Sequence, residues 1–352
     1  MSELNNQREF SAGAVAGAGL SLFAASALTY PLETSTIAFK STYQPLAARN
    51  AAIQSGQRDS VVLNTYDAGR HLVKTSPHGL FELFRGLIPY TAYSFLFSSG
   101  FTAFLGVFPH VNPIPSAPAA LEVPRNLALA TFRALLQPIR TLYSRQITRK
   151  AARKLSPVTP SPKDLWNAVT DDEERRKPYL LFKPSIAALE FLSTAVNAVS
   201  NYALLTAVPI LYTILVPGRH LGPADNFTVR GQSARNADPL PVALLAVYAA
   251  GGVALRLASE AIETVSLRLS AQETGKLPSV TEVESKVTAA FGQEGLVLRP
   301  QPYKGPIDAF RSIYREEGLV GLVRGWGVSL FFTGAQIAAV LGFTELRLRG
   351  RI

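Results

Sequence analysis

The chain has 352 residues, of which 47% are hydrophobic and only 17% charged, and its mean hydropathy is +0.15. Soluble domains carry roughly 25% charged residues, so the shortfall points to a membrane protein. The net charge of +10, from 35 Lys and Arg against 25 Asp and Glu, is dispersed and shows no basic strand interleaved with aromatics, which argues against a nucleic-acid partner. There is no cysteine, which excludes a disulfide framework, a cysteine–zinc site and a thiol nucleophile. The four histidines, His71, His78, His110 and His220, are isolated and lack metal-ligand spacing. No glycine-rich phosphate loop precedes a helix. No enzyme activity and no metal are expected.

In chain order, the N-terminal MSELNNQREF is polar and holds Glu3 and Glu9. It reads as neither a signal nor a transit peptide, so targeting is expected to be internal. Phe10–Leu32 carries no charge and is long enough to cross a bilayer core of about 30 Å. Its Ala12, Gly13, Ala16 and Gly17 offer a small-residue face for close helix approach. The span ends in Pro31-Leu32-Glu33-Thr34-Ser35-Thr36-Ile37-Ala38. A polar loop over 40–85 contains a short predicted helix around Tyr66–Lys74. A second span runs from Gly86 to about Phe108. Pro109, Pro113, Pro115, Pro118 and Pro124 then make an extended linker.

The third span, about Asn126–Lys150, includes Arg133, Arg140 and Arg145 and the stretch Pro138-Ile139-Arg140-Thr141-Leu142-Tyr143-Ser144-Arg145. Lys163–Lys183 is a charged loop. Pro184–Pro217 is a fourth span with Glu190 as its only charge. After a polar loop over 218–238, a fifth span, Leu240–Leu267, contains Arg256 and Glu260 and runs into Ala261-Ile262-Glu263-Thr264-Val265-Ser266-Leu267-Arg268. An amphipathic helix with Glu316-Glu317 then leads through Arg324-Gly325 to a sixth, uncharged span, Trp326–Thr344.

The positions Pro31, Pro138 and Ala261 are 107 and 123 residues apart. Three repeats of about a hundred residues, each with two apolar helices, form a membrane array. The repeats read as 1–108, 126–217 and 240–352, joined by a linker over 109–125 and a loop over 218–239.

The stretch YKGPIDAFRSIYREEGLVGLVRGW over Tyr303–Trp326, with its echo LFRG at Leu83–Gly86 and a faint copy at Leu181–Pro184, closely resembles the matrix helix and Arg-Gly turn of the mitochondrial carrier family. The three proline-anchored stretches resemble its signature, Pro-x-acid-x-x-base-x-base. This resemblance implies an all-α membrane protein with six transmembrane helices in three pseudo-symmetric repeats and short matrix helices. It also implies a multi-pass protein of the mitochondrial inner membrane, with the outer membrane as a lesser alternative. Both termini would face the intermembrane space. The loops over 40–85, 146–183 and 268–324 hold 23 Lys and Arg in 141 residues, against 4 in 44 for the others, which supports this orientation.

In the family, the signature acid of one odd-numbered helix pairs with the base of the next, making a breakable matrix gate. Here the acid positions are Glu33, Arg140 and Glu263, and the first base positions are Thr36, Tyr143 and Ser266. None of the three bases survives. A static cluster of Arg140 with Glu33 and Glu263 is the expected replacement, with Arg145 and Arg268 snorkelling at the membrane boundary. Glu316-Glu317 is expected on a surface helix.

The substrate-contact positions implied by the resemblance are Tyr93, Phe191 and Phe332. All are aromatic, which favours a filled apolar core over a site for a charged solute. Arg133 and Arg256 are intramembrane charges at matching depth. They either serve an anion or pair with Glu190 and Glu260. Two functions therefore stay open: a transport-inactive structural or docking subunit of an inner-membrane assembly such as a respiratory-chain complex, or a divergent carrier for a small anionic metabolite. Membrane lipids are expected partners. A phospholipid such as cardiolipin is expected at the matrix helix N-termini, near Ala68 and Gly305.

Overall fold

The computed structural model describes residues 28–46, 64–107, 122–157, 160–215, 240–272 and 301–335, with a few single positions between them. The described residues contain helices and no strand. Most of the first span, the Pro-rich linker, the loop over 218–239 and the end of the sixth span lie outside the described residues.

The helices follow their local signals. Helix 28–41 passes through Pro31, and Ser35 and Thr36 donate hydroxyl hydrogen bonds back to the carbonyls of Pro31 and Leu32, each at 2.8 Å. Helix Thr65–Thr75 starts where the Asn64 side chain accepts from the Asp67 amide at 2.9 Å. Helix Leu87–Val107 follows directly from Gly86. The third span is two helices, Glu122–Leu135 and Gln137–Thr148, divided at Leu136. Pro138 lies in the first turn of the second, where its missing N–H costs nothing. Helices Pro184–Leu215 and Leu240–Ala271 each run for 32 residues. The latter has Ala261 where the other signatures have proline, and it is continuous. The final described stretch is helix Pro306–Leu322, a turn, and helix 326–335.

By length and composition, one stretch among the described residues, Pro306–Ala335, is apolar and long enough to cross a membrane. It is not one straight helix, because Gly318 (φ 74°) and Gly325 (φ 85°) interrupt it in the left-handed region. Six spans are not met by this criterion. The first span falls largely outside the described residues, the last is described only as far as Ala335, and the third is divided and carries arginines.

The chain forms two compact units: Met1–Thr102, Leu136–Lys183 and Ser270–Pro302; and Ala103–Leu135, Pro184–Leu269 and Tyr303–Ile352. In the first unit, Ile37, Ala38, Phe39, Val62, Ala68, Leu72, Tyr143 and Ile147 form the core, with Leu83, Tyr90 and Tyr93 against it. In the second, Ile186, Ala261, Val265, Leu269, Tyr303, Ala309, Ile313 and Leu322 do so. Helices Pro184–Leu215 and Leu240–Ala271 are joined by small polar residues. The Ser193 and Ser259 hydroxyls lie 3.1 Å apart, and Ser200 donates to the Gly252 carbonyl at 2.7 Å. Gly252 permits this approach, since a Cβ there would meet Leu204 Cγ at 2.9 Å.

Candidate functional site

Within the second unit the signature acid Glu263 and Glu190 share one base. Arg133 donates Nε to Glu190 at 3.1 Å and Nη2 to Glu263 at 3.0 Å. Glu190 is buried and also accepts from the Ser266 hydroxyl. A serine at a signature base position thus supplies a hydrogen bond where the family pattern has a charge. Arg256 lies 3.7 Å from Glu260, one helical turn on, and Glu260 accepts from the Ser329 hydroxyl. Both candidate cavity arginines therefore face carboxylates of their own unit. Pairing with Glu190 and Glu260 is one of the two alternatives the sequence leaves open for these arginines. The sequence does not show that Glu263 is Arg133's second partner.

In the first unit, the other two base positions serve packing. The Thr36 hydroxyl is turned to its own helix backbone. Tyr143 is buried and meets Tyr90 and Tyr93 edge-on, with ring centroids 5.6 and 5.9 Å away. Arg140 is buried and Glu33 is half-buried.

The second base positions correct the snorkelling expectation. Arg145 is 0% exposed: it holds Glu174 with two nitrogens at 2.5 and 3.0 Å and donates to the carbonyls of Ser270 and Val169. Arg268 is likewise buried, bonded twice to Glu317. Glu317 is therefore not a surface residue. It also takes Arg324 at 2.5 Å. Both arginines face inward because each has a carboxylate there, and a paired buried charge needs no route to water.

These contacts reveal a node that the signature alone does not show. Glu82, Glu174 and Glu317 are each flanked by two bases. One comes from the turn before an even-numbered helix: Arg85 at 2.6 Å, Lys183 at 3.8 Å and Arg324. The other is the signature base in two repeats, Arg145 and Arg268. In the first repeat Ala38 occupies that position, and Arg153 approaches Glu82 to 3.6 Å instead.

The backbone keeps the same register at both ends of the chain. Gly79 (φ 57°) and Gly86 (φ 87°) are seven residues apart, as are Gly318 and Gly325. His78 precedes Gly79 where Glu317 precedes Gly318. The first-repeat acid is displaced one helical turn to Glu82, which matches Gly321, where a Cβ would meet the Glu317 side chain at 2.6 Å. Two anchor points thus deliver a carboxylate to the same kind of turn. The LFRG and LVRG matches make this legible in the sequence; the shift of the acid hides it.

Charges outside the spans report the same pairing. Burial alone would raise the Glu174 carboxyl, but the Arg145 hydrogen bonds and charge outweigh it and hold it below the usual carboxylate range. Burial, with Arg145 beside it, pushes the Lys183 amine down, and Glu174 only partly opposes this. Burial also lowers Arg153, against the pull of Glu82.

The aromatic contact positions do not share one environment. Tyr93 stacks on Phe97 at 6.1 Å in the first unit's core. In the second unit, Phe191 is half-buried, while Phe332 is 42% exposed beside Phe331. The expected filled apolar core does not include Phe332, which lies on an open helix face. The two helix ends expected to hold phospholipid each carry an acid in the first turn, Asp67 and Asp308. Pro306 removes an amide donor, and Asp308 takes the Lys304 amide at 2.9 Å.

Comparison with curated proteins finds no match to the chain. Residues 238–348 match the family described as mitochondrial carrier protein. The matched stretch contains the third signature and the Glu317–Arg324 turn, and the left-handed glycine pair repeats in the first repeat. The segment 238–348, about a third of the chain, is similar to the mitochondrial carrier domain, and this similarity supports membership of the mitochondrial carrier family.

Proposed function

We propose that this carrier-type membrane protein no longer cycles and serves as a structural or docking subunit of an assembly in the mitochondrial inner membrane. The observation that carries this is Arg133 shared by Glu190 and Glu263. A gate that opens needs an acid whose partner can be exchanged when substrate shifts the population. Glu263 is instead held by a base of its own unit, and Thr36, at the base position the gate pattern would pair with it, carries no charge. The reading takes the six-helix topology, with both termini toward the intermembrane space, from the family and from loop charge. Its partners are membrane lipids and protein subunits rather than nucleic acid or an enzyme substrate.

The test is mild detergent extraction of mitochondria, native separation, and mass spectrometry of what migrates with this chain. Stoichiometric presence in a large assembly is expected. Migration alone, near 37.9 kDa plus detergent, refutes the docking role. One observation favours a second reading, a working carrier for a small anionic metabolite: the Arg133 side chain keeps 23% exposure. Anion uptake into liposomes that is lost in Arg133→Ala and Arg256→Ala would establish it.

A further inference from the structure

Three turns lead into even-numbered helices, and their basic residues are Arg85, Lys183 and Arg324. Two are guanidiniums, which stay charged at any physiological pH. The third is an amine, which titrates and can be acylated. Lys183 is anchored rather than free-swinging: its amide donates to Gln137 Oε1 at 3.2 Å, and Gln137 in turn donates to Thr141 at 2.6 Å. Its Nζ lies 3.8 Å from Glu174, yet its side chain keeps 29% exposure. It is thus within reach of a reagent from solution. Glu174 has a better partner in Arg145, which grips it with two nitrogens. Lys183 is therefore the replaceable base of its node.

We propose that Lys183 is a site of acylation by an acyl thioester, a modification that removes the one dispensable charge from the Glu174 node. The neutral amine attacks the thioester carbonyl. The C–N bond forms, the C–S bond breaks, and the proton displaced from the attacking nitrogen leaves with the sulfur as the thiol, the ammonium having first given one proton to water. Burial and Arg145 already favour the neutral amine, the form that reacts. The product is a neutral amide at the turn, leaving Glu174 to Arg145 alone. Acylation thus loosens the entry to helix Pro184–Leu215 without stranding a carboxylate. The equivalent turns at Arg85 and Arg324 have no such switch.

The test uses the purified full chain in detergent with acetyl-CoA as the probe, followed by site-resolved mass spectrometry across neutral to alkaline pH. Lys163 and Lys177, both exposed on the same loop, are internal references. Lys183 is expected to acetylate several-fold faster than either near neutral pH, with the advantage shrinking as pH rises. Lys183→Arg should abolish labelling of that position and leave the reference rates unchanged. Equal or slower labelling of Lys183, or no labelling of any of the three, overturns the proposal.

Discussion

Alanine at Gly86 and at Gly79 should separate backbone conformation from close packing. Both glycines sit in the left-handed region, where an L side chain costs about 1–2 kcal/mol. Around Gly79 nothing lies within 4 Å of an added Cβ, so Gly79→Ala should cost about that much and no more. At Gly86 the same Cβ would meet the Tyr30 hydroxyl at 2.5 Å and the Tyr143 carbonyl at 3.4 Å. That hydroxyl donates to the Arg85 carbonyl at 2.7 Å and is buried. It cannot give way without breaking a hydrogen bond worth about 1 kcal/mol net. With some further strain in packing, Gly86→Ala should exceed Gly79→Ala by about 2 kcal/mol. The assay is equilibrium unfolding of the detergent-solubilised protein followed by tryptophan fluorescence. Tyr30→Phe costs about 1 kcal/mol by itself. In that background most of the excess should vanish, because the clashing atom is gone. Equal losses for the two alanines, or an excess untouched by Tyr30→Phe, refutes the reasoning.

Glu317→Gln removes the negative charge shared by Arg268 and Arg324 and turns one acceptor oxygen into a donor, and should destabilise by about 3–5 kcal/mol, the range for stranding a buried charge; in unfolding assays Asp308→Asn, at the start of the same helix, should be far milder. Gly252→Ala drives a methyl into Leu204 and should cost stability that Leu204→Ala partly restores, while Gly251→Ala, with nothing within 4 Å, should stabilise by up to about 1 kcal/mol through helix propensity. Because Arg145 depresses the Glu174 carboxyl, its contribution is complete above the ordinary carboxylate pKa and is lost as pH falls through the depressed one; Glu174→Gln should flatten the acid limb of a stability–pH curve. The Lys183 amine is also depressed, so the unfolded chain binds the extra proton and stability should rise with pH up to the ordinary lysine range; Lys183→Met should remove that rise.

Much of the helix plan was legible because it rests on local chemistry. Gly86 and Gly325 mark helix starts, and the short polar helix is expected around Tyr66–Lys74, where the structure has Thr65–Thr75. The expected second, fourth and fifth spans end within a few residues of the helices observed. The division at Leu136 was not legible as a break, only as a proline-bearing signature. The site was read from spacing alone, and spacing gives depth and face but not partner. Arg145 and Arg268 looked like boundary residues because their acids, Glu174 and Glu317, lie 29 and 49 residues further on. Arg133 was matched to Glu190, yet its hold on Glu263 joins residues 130 apart, a link that no local pattern records. The first-repeat acid stayed hidden because it had moved by one turn, while the glycines that shape the turn had not.

The Arg85 guanidinium does more than hold Glu82. It donates to the carbonyls of Ala152, Arg153 and Leu155, at 2.6 to 3.0 Å, residues that follow the third span in the chain. Those carbonyls lie at and just beyond the end of helix Lys150–Arg153, where a helix leaves acceptors without helical partners, and Ala152 also accepts from the Leu155 amide at 3.1 Å. The donor is made 67 to 70 residues earlier. The hydrogen bonds from Arg85 to the exit of the third span therefore form only once the turn of the first repeat is in place. A chain synthesised from its N-terminus meets this order naturally, whereas a circular permutant opened between them would present the acceptors before the donor.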